Sequence, residues 1–188
     1  MLEVELDGER LTDDEVVGVL FLMVVAGNET TTKLLGHAWY WGWRNPDERR
    51  KPFTDARRVG DWVEETLRYD ASTQILARTA AVDIEMYGDV MRAGDRVLLL
   101  LGAANRDAVV FPDPDRYDLD RDTSALISFG SGRHFCLGAA LARLEARIVL
   151  GELVGAVADY DIDIDNASRS HSVNVRGFET LPTKVRLR

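Results

Sequence analysis

Residues 129–138 read Phe-Gly-Ser-Gly-Arg-His-Phe-Cys-Leu-Gly and lead directly into an apolar, Ala-rich stretch. The segment holds the one cysteine of the chain, Cys136, set among Gly130, Gly132 and Gly138, with His134 two residues before the sulfur. Glycine tolerates positive φ and carries no Cβ, so such a loop lets backbone approach backbone or a flat ligand. A helix starting just beyond it brings free N–H groups and a positive dipole end toward the thiol, which favours the anion. A thiolate held there is a nucleophile or a soft metal ligand. Which of the two it is decides both fold and function.

Spacing separates these chemistries. A phosphatase-type loop needs His directly before Cys and Arg six residues after it; here Phe135 intervenes and position 142 is Ala142. A phosphate loop ends in Gly-Lys-Ser/Thr, which is absent. The dinucleotide pattern G-x-G-x-x-G starts with Gly130 and Gly132 but meets Phe135 in place of the third glycine, without a strand-helix-strand unit around it. A Cys-His hydrolase stays open in principle, although His134 is close in sequence rather than opposite in space and no orienting Asn or Asp is marked. Structural zinc needs more ligands than one Cys and the scattered His37, His134 and His171 supply. What remains is a single axial thiolate on a haem iron. The glycines then let the loop lie against the ring, and His134 and Arg78 offer partners for acidic propionates.

Composition sets outer bounds. With 188 residues, 46% hydrophobic and 29% charged, the chain has enough apolar side chains for one core, so one soluble domain or part of one is expected. A net charge of −9 argues against a nucleic-acid binder, which needs a basic face. A lone cysteine excludes an internal disulfide and suits a reducing compartment such as the cytoplasm. The longest wholly apolar run, residues 16–27, falls well short of the ~20 residues of a membrane span and reads as a buried helix. The acidic start, residues 1–7, lacks the basic beginning of a signal peptide.

Along the chain, Thr12-Asp-Asp-Glu15 reads as a capping box. The helix that follows is apolar on every face through Gly27 and so expects neighbours on all sides. Polarity breaks in at Asn28-Glu-Thr-Thr-Thr-Lys33, the helical pattern resumes over residues 34–43, and Asn45-Pro46 stops it. If continuous, this is one helix of about 30 residues. Its mid-helix threonines can bond the carbonyl four residues back and bend it; the bland alternative is a solvated patch. Residues 44–58, rich in Arg and Lys, read as a solvated connector. A second helix over 59–69 puts Glu65 and Arg68 on one face, as an ordinary exposed pair a contribution of at most about 1 kcal/mol. Residues 78–101 read as a small antiparallel sheet, 103–121 as an ordered coil, 137–159 as a helix, and the tail around Gly177 and Pro182 as a closing hairpin. The fold class is mainly α with small antiparallel β-sheets.

Residues 129–138 match every fixed position of F-x-x-G-x-x-x-C-x-G, the signature of the cytochrome P-450 family of haem-thiolate monooxygenases, and His134 makes the stretch resemble the bacterial version. Glu65-Thr-Leu-Arg68 is similar to that family's E-x-x-R helix, and Ala26-Gly-Asn-Glu-Thr30 to its A/G-G-x-D/E-T oxygen-activation motif. Arg78, Asn105-Arg-Asp107 and the acidic coil ending in Arg121 follow in the family's order, so the resemblance covers about residues 12–182. It implies a truncated, C-terminal haem-binding half of the cytochrome P-450 fold. Its parts are a distal helix over 13–44, the E-x-x-R helix over 59–69, the small sheet over 78–101, the cysteine loop 129–138 and the helix over 137–159.

The resemblance also implies roles. Cys136 becomes the iron ligand of haem b (iron protoporphyrin IX), flanked by Phe129 and Gly130, with Arg78 and His134 on the propionates. Glu29 and Thr30 become the catalytic pair that delivers protons to dioxygen, the co-substrate, in a kinked distal helix. Glu65, Arg68 and Arg121 form a buried network that locks the coil carrying Cys136, while Ala26, Ile75 and Phe178 approach the substrate. Two family prolines are replaced, by Ser72 and Arg92. The expected partners are a small apolar organic substrate and a ferredoxin with an NAD(P)H-dependent reductase, with no nucleic acid and no membrane. Family members are roughly twice as long, which leaves at least one flank of the apolar run uncovered and makes a separately encoded N-terminal half a candidate partner. The alternative is a catalytically inactive remnant, or a haem-binding or sensing module without turnover.

Overall fold

The computed structural model describes residues 5, 6 and 8–188. A short antiparallel pair, β1 (Glu5–Leu6) and β2 (Glu9–Arg10), precedes the long helix α1 (Asp13–Arg44). The capping box forms: Thr12 N donates to Glu15 Oε2 at 2.8 Å and Glu15 N donates to Thr12 Oγ1 at 3.3 Å. The polar interruption does not end the helix. Its threonines turn their hydroxyls back onto the helix, Thr30 Oγ1 onto the Ala26 carbonyl at 2.7 Å and Thr32 Oγ1 onto that of Asn28 at 2.8 Å, so they are satisfied without a break.

The core lies on the C-terminal half of α1. Leu34, Ala38 and Trp39 pack against Trp62, Val63 and Leu67 of α3 (Val59–Tyr69) and Ala146, Leu150 and Val154 of α5 (Ala139–Ala156). Trp39 stacks on Tyr160 with ring centroids 3.7 Å apart. Gly42 permits this approach, since a Cβ there would stand 2.8 Å from the Trp62 ring. By length and composition alone α1 can cross a membrane, yet this half is built into the protein core. The other half departs from the reading of a buried helix: residues 17–29 are all exposed. The reason is that the core formed with α3 and α5 meets α1 only from Leu34 onward, and no other described element covers residues 17–29.

The basic stretch is not a plain connector. It forms α2 (Pro46–Thr54), with Pro46 at a position where a missing N–H costs nothing, and a 3-10 turn, Ala56–Arg58. Its cations are paired: Arg49 with Asp159 at 3.1 Å, and Lys51 with Glu48 at 2.7 Å and Asp120 at 2.6 Å. Beyond α3, β3 (Leu76–Thr79) pairs with β6 (Arg96–Leu99) around the hairpin β4 (Ile84–Met86) and β5 (Asp89–Met91). A short helix, α4 (Leu101–Ala104), opens the coil.

Helix α5 stops at Ala156, short of 159, because Val157, Tyr160 and Ile162 bury alternate faces of a strand, β7 (Val157–Ile162). The tail also differs from a local hairpin. After β8 (Ser168–Arg169) and β9 (Phe178–Thr180), β10 (Thr183–Leu187) pairs with β7, while Val175 bridges to Thr73.

Candidate active site

The cysteine loop is shaped by its glycines. Gly130 (φ 71°) and Gly132 (φ 64°) adopt the left-handed conformation that side chains resist. Cys136 N donates to the Phe129 carbonyl at 2.9 Å and Phe135 N to that of Gly132 at 3.1 Å, closing the loop on itself. Ala139 N, at the start of α5, donates to the Cys136 carbonyl at 3.2 Å. Cys136 is a free, exposed thiol.

An open cleft with a cavity volume of about 200 Å³ lies beside it. Six residues singled out in the sequence line this one cleft: Ala26 and Thr30 from α1, and Phe129, Gly130, His134 and Cys136 from the loop. Others stand apart. Glu29 borders a separate shallow depression with Asn28 and Thr32. Arg78 lies on β3 with its guanidinium on the Ala77 carbonyl at 2.9 Å. Ile75 is outside the lining, which takes Thr73 and Leu76 from that segment. The Phe178 ring is buried away from the cleft, against Tyr40 at 5.0 Å and under the Arg169 guanidinium at 3.9 Å.

Behind the loop sits a fully used ion pair. Arg68 donates from Nε and Nη2 to the two Glu65 oxygens at 2.8 and 2.7 Å, and its other N–H groups reach the carbonyls of Asn105, Pro114 and Arg116. Glu65 Oε1 also accepts the Asp118 N–H at 2.9 Å. Side-chain exposure of the pair is 0% and 1%, so the reading as an ordinary exposed pair does not hold. Arg121 joins the group: its Nη2 bonds the Asp113 and Arg116 carbonyls, and its Nε faces Glu65 Oε1 at 3.6 Å. That Nε is buried without a hydrogen bond among the described residues.

Asn105 carries the brace to the cysteine loop. Its carbonyl takes Arg68, its Oδ1 accepts the Ile127 N–H at 2.9 Å, and its Nδ2 donates to Ser128 Oγ at 2.7 Å. Ser128 in turn donates to the Leu67 carbonyl at 2.6 Å. Residues 127 and 128 lead straight into Phe129, so α3, the coil and the loop are one bonded unit.

Sequence reasoning missed a second buried cluster. Asp70 accepts from Trp41 Nε1 at 2.8 Å and pairs with Arg176 at 3.2 Å, while the His37 ring contacts the Asp70 carbonyl at 2.6 Å. Burial lowers the His37 pKa, and the Asp70 charge only partly opposes this. The apolar neighbours of His37 in sequence gave no sign of such a partner. Ser72, legible only as a replaced proline, donates to the Thr30 carbonyl at 2.7 Å.

The donor set can be matched to a ligand. Among the described residues no group of three His, Cys, Asp or Glu side chains gathers to hold a metal. A metal on Cys136 must therefore bring its other ligands with it, as the iron of a macrocycle does. The cleft walls are mostly apolar, as a largely apolar macrocycle requires. Haem fits this site.

Comparison with known proteins agrees. A profile of the cytochrome P-450 family matches residues 1–156. Cytochrome P-450 123 of Mycobacterium tuberculosis is 54% identical over 189 residues, covering 100% of this chain and 47% of the relative. The vitamin D(3) 25-hydroxylase of Pseudonocardia autotrophica is 40% identical over 182 residues, covering 95% and 45%. The solved structure of a cytochrome P-450 from Chondromyces apiculatus superposes with a TM-score of 0.92 at 40% identity, over 100% of this chain and 48% of that one. The chain spans about half the length of the curated relatives it matches. Sequence and shape thus place the chain with the same proteins, and it belongs to the cytochrome P-450 family.

Proposed function

We propose that this chain supplies the thiolate ligand and the distal wall of a cytoplasmic bacterial monooxygenase that inserts one oxygen atom of dioxygen into a small apolar organic substrate. The observation that carries this reading is that Cys136 and Thr30, from elements far apart in sequence, line one apolar cleft. When bound there, haem b supplies the one-electron and dioxygen chemistry. Cys136 is its iron ligand, on a loop fixed by the Glu65–Arg68–Asn105 brace. His134 lines the same cleft and is the propionate partner on the loop side; Arg78, on β3, spends one guanidinium nitrogen on the Ala77 carbonyl and would offer its other N–H groups to a propionate. Thr30 Oγ1 donates its one proton to the Ala26 carbonyl, which leaves its lone pairs to accept from a donor in the cleft; to hand a proton on, the hydroxyl rotates off Ala26. Glu29, exposed one residue before it, is placed to exchange protons with solvent.

The apolar walls favour an apolar substrate, and one relative's name, a vitamin D(3) hydroxylase, agrees with that class. Electrons come from a ferredoxin and an NAD(P)H-dependent reductase. The protein elements that cover residues 17–29 come from a further polypeptide segment, encoded with this chain or separately.

The exposure of residues 17–29 and 131–138 favours a second reading for the chain by itself, haem binding without turnover. One experiment separates the outcomes. Reconstituted with haem and reduced under carbon monoxide, the chain is expected to show the red-shifted Soret band of thiolate ligation, and Cys136→Ser to lose it. An unchanged band in Cys136→Ser overturns the ligand assignment. A normal band without substrate oxidation, even with redox partners and the complementary segment present, supports the second reading over the first.

A further inference from the structure

Thr30 is held from two sides, and only one of them is its own helix. Its hydroxyl donates to the Ala26 carbonyl, four residues back, at 2.7 Å. Its carbonyl accepts the hydroxyl of Ser72, 42 residues away in sequence, also at 2.7 Å. A backbone carbonyl has two lone pairs, and a helix uses one of them for the amide four residues on. Ser72 occupies the second.

Ser72 is itself buried, at 7% exposure, and firmly placed. Its carbonyl accepts the Arg176 N–H at 2.7 Å, and Gln74 N donates to the Asn174 carbonyl at 2.9 Å. The adjacent Thr73 bridges Val175. Residues 72–74 are therefore pinned to the 174–176 turn, and Ser72 ties that pinned segment to α1 at the cleft that both Ser72 and Thr30 line. A proline at position 72 has no hydroxyl and cannot make this tie.

We infer that Ser72 is a positioning residue for Thr30: its hydroxyl pins the Thr30 carbonyl and so fixes where the Thr30 hydroxyl stands over the cleft. The functional part of this rests on Thr30 being the proton-handling residue, and small displacements of such a group are expensive in rate. The tie itself stands on the geometry alone.

The test uses the full chain with Ser72→Ala and Ser72→Thr. In amide hydrogen exchange, Ser72→Ala is expected to speed exchange at residues 30–34 roughly five-fold, the loss of one ordinary hydrogen bond, with α3 and α5 unchanged. Ser72→Thr, which keeps the hydroxyl, restores the slow rate. No change at 30–34, or an equal rise throughout the chain, overturns the inference. In the haem-loaded protein the carbon monoxide stretching band is expected to shift or broaden in Ser72→Ala and return in Ser72→Thr; a band identical in all three overturns the claim that the tie reaches the cleft. If Thr30→Ala leaves the coupling of dioxygen use to product unchanged, the proton role of Thr30 fails, while the exchange result still decides the tie.

Discussion

The N-terminal half of α1 is the more apolar of its two halves in sequence and yet the more exposed in the fold. In the C-terminal half Leu34 and Ala38 are exposed to 2% and 0%; in the N-terminal half Phe21 and Val24 are each exposed to 70%. Between them lie Thr30 and its tie to Ser72. The difference teaches that an all-apolar helix records the neighbours a fold provides, not those one chain contains. The buried half is organised by α3 and α5, and α3 is in turn organised by its ion pair. Anything that frees that pair should erase the contrast between the halves.

The largest expected effect is therefore at Arg68. Arg68→Ala strands the Glu65 carboxylate, 1% exposed, beside the carbonyls that Arg68 served. Breaking a buried pair from one side costs about 3–5 kcal/mol, a large part of the stability of a domain this size. Urea denaturation followed by tryptophan fluorescence should show a midpoint shift of that order. A change below about 0.5 kcal/mol would mean that the brace does not hold the buried half.

Core cavities come next. Leu150, at 1% exposure, belongs to the cluster formed with Leu34, Ala38 and Trp62. Leu150→Ala should cost about 2–5 kcal/mol, read in the same denaturation. A cost near zero would show the buried half to be as loosely supported as the exposed one.

How much of this was legible depends on whether the signal was local. The capping box, the E-x-x-R spacing and the glycine loop are short-range patterns whose chemistry fits within a few residues, and the thiol, its brace and the facing Thr30 follow from them. Tertiary placement was not legible. No pattern in the sequence places Ser72 under Thr30, seats Asp70 against His37, or turns Phe178 toward Tyr40 and Arg169 rather than the cleft. Likewise, residues 44–58 read as a connector because their charges are paired with partners distant in sequence, such as Asp120 and Asp159. The end of α5 escaped for a related reason: Val157 and Ile162 suit helix and strand alike until β10 arrives to pair with them.

A smaller, pH-dependent effect probes the floor of the buried half. His37 is buried with its pKa lowered, first by desolvation and against the opposing Asp70 charge. The unfolded chain binds a proton near the ordinary value of about 6.5, while the folded chain resists it to lower pH. Between these values the unfolded state holds more protons, so stability rises with pH and is lost as pH falls below about 6.5. Between pH 7.5 and 5.5 the melting temperature of the parent chain should drop further than that of His37→Gln. Equal drops would show that the imidazole takes its proton without leaving its site.

The smallest expected effect on stability lies in the exposed half, and for that reason it is the sharpest test of the comparison. Phe21→Ser with Val24→Ser removes apolar surface that touches solvent, so unfolding free energy should move by no more than about 0.5 kcal/mol per site. Self-association should fall, because a contiguous apolar surface on residues 17–25 is what drives it. Sedimentation over a concentration series separates the two quantities. If the pair of substitutions instead lowers stability by several kcal/mol with association unchanged, residues 17–29 are packed within the monomer in solution, and the two halves of α1 are not different after all.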